Sequence, residues 1–261
     1  MEIINSEQNQ WLKKLRALKT KKYREEYQQF VVEGSRFCRE AILHNISSIE
    51  ALLVSEKALE SPNIKDVLKL YSQKYYIVST KLLEKNLSTI NPQGIAAIIN
   101  KPRWNLTKLL KSGKLFVVLD GIQDPGNLGT IIRTAFGAGV DAVFCLPGTV
   151  DLYNDKSLRS TMGAVFKLPV FYQDDPNKLI MDLKNNDFEI VIADIRASKY
   201  HFQPTYPKKL VLVLGSEARG PKLITSGDIK VKIPLDPRAE SLNVAVAGAI
   251  ILYEIVRQRM V

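Results

Sequence analysis

The sequence predicts an α/β protein of two domains, the second of which is built on a parallel sheet. Short apolar runs alternate with amphipathic stretches along all 261 residues, as expected when strands and helices alternate. In the second half the apolar runs are nearly continuous, which is typical of parallel strands covered on both faces. Residues 101–114 have the polar character of a linker, so we predict domains at 1–105 and 106–261.

The first domain begins with a basic amphipathic segment. Over residues 6–24, Trp11, Leu15 and Leu18 recur at helical spacing among lysines and arginines, which predicts one helix. The patterns that follow predict strands at 30–32, 51–54, 75–78 and 95–99, and helices at 35–43, 64–72 and 80–86.

The second domain repeats the alternation with clearer signals. We predict strands at 115–119, 142–146, 190–193 and 210–214, a helix at 128–139 and a last helix from 243 to about 257. The last helix is apolar nearly all the way round, which predicts burial on every side. We therefore expect it to pack on its own sheet and against a second copy of the chain, as in a homodimer.

Composition limits the classes of function. With 37 Lys and Arg against 27 Asp and Glu, the net charge is +10, which suits a polyanionic partner but equally well serves solubility. The longest apolar run, residues 244–253, is shorter than the ~20 residues that span a bilayer, and the first ten residues are polar. Cys38 and Cys145 share no metal-binding spacing. We therefore expect a cytoplasmic protein with no membrane contact, no metal site and two reduced thiols.

Three loops carry most of the polar residues expected to have a chemical role. The first, residues 119–133, contains three glycines that permit tight turns, Asn127, which can cap the next helix, and Arg133, whose guanidinium suits a phosphate. An ordinary strand–turn–helix connection with a surface arginine explains the same residues equally well.

The other two loops lie in the last fifty residues. Residues 214–220 place Gly215 and Gly220 around Glu217 but match neither a dinucleotide fingerprint nor a Walker A loop, which argues against a nucleotide-dependent oxidoreductase. Residues 233–243 are stiffened by two prolines, and Ser241 or Asn243 can cap the last helix. Taken alone, each loop is compatible with a purely structural role.

Together, the ordered motifs resemble those of the SpoU (TrmH-like) RNA ribose 2′-O-methyltransferases of the SPOUT superfamily. The resemblance covers residues 115–261 and rests on Asn127 to Arg133, on the glycine loop at 215–220, and on residues 233–243. Residues 1–100 resemble the ribosomal-protein-like α/β substrate-binding domain that many such enzymes carry.

The resemblance implies a trefoil-knotted second domain that binds S-adenosylmethionine and dimerises through the knot region. The residues that match the family's cofactor-binding positions are Leu214, Gly215, Gly220, Ile233, Leu235 and Leu242. Between Ile233 and Ser241 the sequence departs from the family, because Asp236 and Arg238 stand where many members have a small-residue loop with glycine.

The resemblance also implies which residues serve catalysis, which is attack of a ribose 2′-hydroxyl on the cofactor's methyl group. Arg133 matches the catalytic arginine; because arginine holds its proton tightly, we expect it to anchor phosphate and stabilise the developing alkoxide. The polar residues that match positioning roles are Asn127, Glu217, Ser241 and Asn243.

The RNA is expected to contact basic residues of the first domain and one of the second. These are Lys13, Lys14, Arg16, Lys21, Lys22 and Arg24, together with Arg159. The resemblance implies ribosomal RNA as the substrate in preference to transfer RNA, because tRNA-specific relatives more often lack such an extra domain with its basic helix. A tRNA methyltransferase and a noncatalytic RNA-binding or ribosome-assembly protein of the same fold remain as alternatives, and a merely solvated helix face also explains the lysines.

Overall fold

The computed structural model describes residues 3–216, 220–224 and 226–260, and the chain divides into two compact units. One unit comprises Met1–Arg103 with Tyr153–Phe166, and the other comprises Trp104–Leu152 with Lys167–Val261. The sequence-based division assigns all of 106–261 to the second domain, whereas residues 153–166 pack within the first unit.

The first unit is built on a mixed five-stranded sheet. Its strands are β1 (Ile3–Ile4), β2 (Gln29–Glu33), β3 (Ile49–Ser55), β4 (Tyr76–Val78) and β5 (Ile95–Asn100). They lie in the order β1-β4-β3-β5-β2, where β1, β4 and β3 run parallel and β5 runs antiparallel to both of its neighbours. All four strands predicted in this region are present.

Helices cover this sheet. They are α1 (Gln10–Ala17), α2 (Lys21–Tyr27), α3 (Ser35–Asn45), α4 (Pro62–Leu70) and α5 (Thr80–Asn86). A helix from later in the chain, α8 (Asp155–Thr161), also belongs to this unit. The single helix predicted at 6–24 is wrong, because α1 ends before Leu18 and α2 begins at Lys21. The Arg24 guanidinium turns back to donate to the Leu18 carbonyl at 2.8 Å, which satisfies an acceptor freed where α1 ends.

The second unit is built on a seven-stranded sheet in which every strand pair is parallel. Its strands are β6 (Leu115–Asp120), β7 (Ala142–Cys145), β8 (Val170–Tyr172), β9 (Glu189–Ala193), β10 (Lys199–Tyr200), β11 (Leu210–Gly215) and β12 (Ile229–Lys232). They lie in the order β10-β12-β9-β11-β6-β7-β8. The predicted parallel sheet is confirmed.

Helices lie on both faces of this sheet, as the apolar strands predict. They are α6 (Leu106–Ser112), α7 (Pro125–Gly137), α9 (Pro176–Lys184) and α10 (Val244–Arg259). Helices α6 and α9 pack over Phe116, Phe144 and Phe188, and α10 packs against α7 and β11. Residues 101–114 are not only a linker, since Asn105 caps α6 by accepting the Lys108 backbone N–H.

Helix α10 is buried on one side and exposed on the other. Val244, Ile251 and Ile255 are buried, whereas Val246 and Tyr253 are about half exposed at 48% and 51%. A side chain at Gly248 would lie 2.7 Å from the Leu214 side chain, so glycine lets α10 approach β11 closely. The predicted packing against its own sheet is confirmed, and the exposed side is the one on which the sequence predicts a second copy of the chain.

Both cysteines are buried thiols in the described chain. Burial raises the pKa of Cys38 far above its usual range and that of Cys145 to about 12, so neither forms a thiolate near neutral pH. In the described ranges, no helix combines the length and apolarity needed to cross a bilayer, and no three His, Cys, Asp or Glu side chains form a metal-binding group.

Candidate functional site

Chain segments from three strands meet around a cavity of about 420 Å³ in the second unit. The segments follow the carboxyl ends of β9, β11 and β12, which is where parallel α/β sheets bind ligands. All six residues assigned to the cofactor by resemblance line this one cavity: Leu214, Gly215, Gly220, Ile233, Leu235 and Leu242. Ser241 lines it as well.

Gly215 allows the backbone to fold back on itself at the mouth of the cavity. A Cβ atom there would lie 1.9 Å from the Pro221 nitrogen and 2.0 Å from the Gly220 carbonyl carbon, which no side chain tolerates. Gly220 has φ of 66° and donates its N–H to the Ser216 carbonyl at 2.8 Å. The two glycines therefore make the turn that the sequence pattern indicates.

A buried carboxylate holds the chain that leaves this turn. Asp120 is paired in register with Gly215 at the end of β6 and is 3% exposed. Its Oδ2 accepts the backbone N–H groups of Lys222, Leu223 and Ile224 at 2.7, 2.6 and 3.3 Å. Sequence reasoning missed Asp120, although its position at a strand end beside three glycines is the signal that would have identified it.

The first and third loops meet through two amides. Asn243 Nδ2 donates to Asn127 Oδ1 at 2.9 Å, and Asn243 Oδ1 caps α10 by accepting the N–H groups of Ala245 and Val246. The predicted capping role of Asn127 is wrong, because Asp124 caps α7 and accepts the N–H of Asn127 itself. The amide of Asn127 is therefore directed toward the third loop.

Arg133 lies outside the cavity. It occupies α7 six residues beyond Asn127, about 9 Å along the helix axis, and is exposed. Within the described chain it makes no hydrogen bond or ion pair, so its guanidinium is available to an anion. Glu217, which the resemblance also marks, lies outside the described residues.

Sequence reasoning also missed a segment that follows β9 and lines the cavity, residues 193–196. The Asp194 carboxylate accepts from the Arg196 backbone N–H at 2.9 Å and from its guanidinium at 3.1 and 3.2 Å. Partial burial raises the pKa of Asp194, but the Arg196 contacts outweigh it and hold this pKa below its usual value. The rule that ligands bind at strand ends would have found this ionised carboxylate.

A second cavity, of about 690 Å³, shares two residues with the first. Ser216 and Val244 line both, whereas Gly121 and Gly148 line only the second. Lys222 also lines it, and its ammonium group is exposed. A small molecule in one cavity would therefore lie next to a molecule in the other.

The residues proposed to contact RNA differ in how available they are. Lys13, Lys21 and Lys22 are exposed, and Lys14 is half-buried with its Nζ 4.0 Å from Glu50.

Three arginines are partly or fully committed to contacts within the chain. Arg16 is exposed but donates to Asn86 and to the Glu7 carbonyl. Arg159 is exposed and pairs with Asp155 at 3.1 Å. Arg24 is buried around its contact with Leu18, so we drop it from the RNA-binding residues.

Comparison with known proteins gives two domain matches. Residues 114–253 match the SpoU rRNA Methylase family, and residues 9–97 match the MRM3-like substrate binding domain. The 23S rRNA (guanosine(2553)-2'-O)-methyltransferase RlmP of Bacillus subtilis is 32% identical, over 98% of this chain and 99% of that protein.

Solved structures match the whole chain as well. An AdoMet-bound rRNA methyltransferase from Sinorhizobium meliloti has a TM-score of 0.85 at 28% identity, covering 100% of this chain and 98% of the other. The SpoU methyltransferase AviRb from Streptomyces viridochromogenes, in complex with AdoMet, has a TM-score of 0.84 at 26% identity, covering 97% and 99%.

Proposed function

Because the chain belongs to the SpoU rRNA methylase family, we propose that it transfers a methyl group from S-adenosylmethionine to a ribose 2′-hydroxyl of ribosomal RNA. The observation that carries the proposal is the one cavity lined by the chain segments that follow β9, β11 and β12. The match to RlmP extends over both units, including the substrate-binding domain, which supports ribosomal RNA as the substrate.

The cavity of about 420 Å³ fits the size and chemistry of the cofactor. Leu214, Ile233 and Leu242 give it apolar walls, and the tight turn at Gly215 exposes backbone groups that can bind an adenine edge. We assign the ionised Asp194 carboxylate to the cofactor's hydroxyl or ammonium groups, since it is the acidic side chain among the described residues that line the cavity.

The neighbouring cavity of about 690 Å³ is where we place the acceptor nucleotide. When bound, S-adenosylmethionine would supply an electrophilic methyl carbon: the 2′-oxygen would take the methyl group, the cofactor sulfur would keep the electron pair of the broken carbon–sulfur bond, and the hydroxyl proton would pass to water. The shared wall at Ser216 and Val244 would hold the two reactants side by side, and holding them in line is the main task of the protein.

Arg133 is assigned to the RNA backbone and to the charge that develops on the 2′-oxygen. An arginine side chain does not release its proton, so it acts as a donor and not as a base. Asn127, Ser241 and Asn243 are assigned to positioning, because the Asn127–Asn243 contact ties the helix that carries Arg133 to the loop that lines the cofactor cavity. Glu217 is retained from the resemblance as a further positioning residue.

The basic residues of the first unit are assigned to the phosphates of the RNA. Lys13, Lys21 and Lys22 are exposed on α1 and α2, and Lys14 and Arg16 lie on α1 beside them. We also retain Arg159 of α8, which packs with this unit. Residues 1–105 would thus act as the RNA-binding domain and 106–261 as the catalytic domain.

We further propose that two chains associate through α7 and α10 and that the second unit contains the family's knot. Phe136, Val246 and Tyr253 are 43 to 51% exposed on these two packed helices, and a partner would cover them. We also propose that the protein works in the cytoplasm, as expected of a relative of the Bacillus subtilis enzyme RlmP.

The proposal is tested with purified full-length protein, methyl-labelled S-adenosylmethionine and total RNA from a strain that lacks the gene. We expect label in the large ribosomal RNA, recovered as an alkali-resistant dinucleotide because a 2′-O-methyl group blocks hydrolysis. Label in transfer RNA would favour the tRNA alternative. RNA binding without transfer of label to any RNA would favour a noncatalytic protein.

A further inference from the structure

The first unit contains a polar cavity of about 470 Å³ that none of the sequence-predicted residues lines. It lies where α2, α3 and β5 end, and Arg103 and Phe166 also border it. This cavity is independent of the two described in the second unit, because all of its lining residues belong to the first.

The charge of this cavity suits an anion. Lys101 and Arg103 are among its twelve described lining residues, and none of the twelve is Asp or Glu; Lys101 is paired with Glu25, so the charge offered to a ligand is that of Arg103. Lys101 is held in place, with its Nζ 2.8 Å from Glu25 and 4.6 Å from the ring centre of Tyr153. Arg103 is exposed and makes no hydrogen bond or ion pair within the described chain, so its guanidinium can take a phosphate.

An aromatic side chain borders the cavity as well. Tyr27 is 42% exposed. The Lys14 ammonium lies 5.6 Å from the ring centre of Tyr27 and 5.9 Å from the ring centre of Trp11. The ring of Tyr23 is stacked 5.9 Å away along α2. Proteins that bind single-stranded nucleic acid combine cations with exposed aromatic rings, because each base has a face that can stack on a ring.

Hydrogen-bonding groups complete the cavity. Asn45 uses its Oδ1 to accept from the N–H and hydroxyl of Ser47, which leaves its amide N–H groups for a ligand. Gln28 uses its amide nitrogen on the Glu25 carbonyl, which leaves its side-chain oxygen as an acceptor. A donor and an acceptor beside a ring are what the edge of a nucleobase requires.

We propose that this cavity binds one unpaired nucleotide of the substrate RNA, with its phosphate on Arg103 and its base against Tyr27. The inference rests on the proposed function, because it takes RNA as the substrate. It adds a second anchor in the substrate-binding domain, separate from the nucleotide that is methylated. Such an anchor would select RNA with a single-stranded segment.

The test measures binding of full-length protein to a fluorescent single-stranded RNA 12-mer and to a paired RNA of the same length. Tyr27→Ala should weaken binding of the single strand about 10-fold, and Tyr27→Phe should restore it, because stacking needs the ring and not the hydroxyl. Arg103→Ala should weaken it about 5-fold and lower the salt slope by about 1. The variants should bind the paired RNA as the wild type does.

Arg39→Ala is the matched control, since Arg39 is exposed on α3 but does not line the cavity. Photocrosslinking with 4-thiouridine RNA should recover the peptide that contains Tyr27. Wild-type affinity of both Tyr27→Ala and Arg103→Ala for the single strand would overturn the inference, as would crosslinks confined to other peptides or binding of a protein segment there in place of RNA. The proposed function fails separately, if the wild type methylates no RNA.

Discussion

The carboxylate of Asp120 holds three successive backbone N–H groups and so positions the chain that leaves the cofactor turn. Asp120→Ala leaves one buried and two part-buried donors without this acceptor, which should lower the free energy of unfolding by about 2 kcal/mol. It should also weaken S-adenosylmethionine binding at least about 10-fold. Denaturant unfolding and calorimetry check both values.

Two further variants test whether the effect comes from the acceptor oxygens of Asp120 and not from the loss of any carboxylate. Asp120→Asn keeps one acceptor oxygen and should lose less stability than Asp120→Ala, whereas Asp174→Ala removes an exposed carboxylate and should change neither quantity. Wild-type cofactor affinity in Asp120→Ala would show that residues 222–224 keep their position without the hydrogen bonds to Asp120.

Replacing Arg133 should change the reaction rate and not cofactor affinity, because Arg133 lies outside the cofactor cavity. Arg133→Ala should lower kcat for RNA methylation by about 100-fold or more, as loss of a transition-state donor does, while cofactor affinity measured by calorimetry stays unchanged. Arg133→Lys keeps the charge but not the planar fork, and should recover only part of the rate. Full activity in Arg133→Ala would contradict the assignment.

At the scale of helices and strands, α1 and α2 present the exposed lysines assigned to RNA. Replacing Lys13, Lys21 and Lys22 with Gln should weaken RNA binding and lower the slope of log affinity against log salt by about 1 for each phosphate that a lysine no longer neutralises. Filter binding between about 50 and 200 mM salt measures the slope. An unchanged slope would identify the lysines as a solvated helix face.

The matched control for these lysines lies elsewhere on the same unit. Lys57, Lys65 and Lys81 are exposed on other elements and carry the same charge. Their replacement with Gln changes net charge equally, so any nonspecific effect of charge appears in both triple variants. Equal loss of affinity in the two would assign RNA binding to overall charge and not to α1 and α2.

The sequence predicted the elements whose burial is complete and missed those whose signal is short or mixed. The core strands β6, β9 and β11 are continuous apolar runs, so their positions were predicted within one residue at each end. The four-residue β12 alternates apolar residues with lysine and escaped prediction. The break between α1 and α2 coincides with a hydrogen bond from Arg24 to the Leu18 carbonyl, a contact that helical periodicity does not indicate.

For the candidate site, the sequence predicted the loops and most cavity-lining residues named in advance, but not the carboxylates that fold-dependent contacts hold in place. Glycines and prolines at strand ends marked the loops, and resemblance supplied six residues that line one cavity. Asp120 and Asp194 were missed because their importance lies in contacts that the chain makes only when folded: backbone donors a hundred residues away for one, and the Arg196 guanidinium for the other.

At the scale of the whole molecule, the half-exposed apolar residues on α7 and α10 predict a dimer. Light scattering should give the wild type twice the 29.4 kDa mass of the chain, and Tyr253→Glu combined with Val246→Glu should give a single chain mass. Met181→Glu changes an exposed apolar residue on α9 and should leave the dimer intact. A wild type of 29.4 kDa would contradict the interface.

Mapping 2′-O-methyl groups in cellular RNA determines whether this chain methylates ribose in ribosomal RNA. Ribosomal and transfer RNA are compared between a parent strain, a deletion strain and deletion strains that express the wild type or Arg133→Ala. We expect one ribosomal RNA position to lose its 2′-O-methyl group on deletion and to regain it only when the wild type is expressed. Identical ribosomal RNA maps in parent and deletion strains would contradict it.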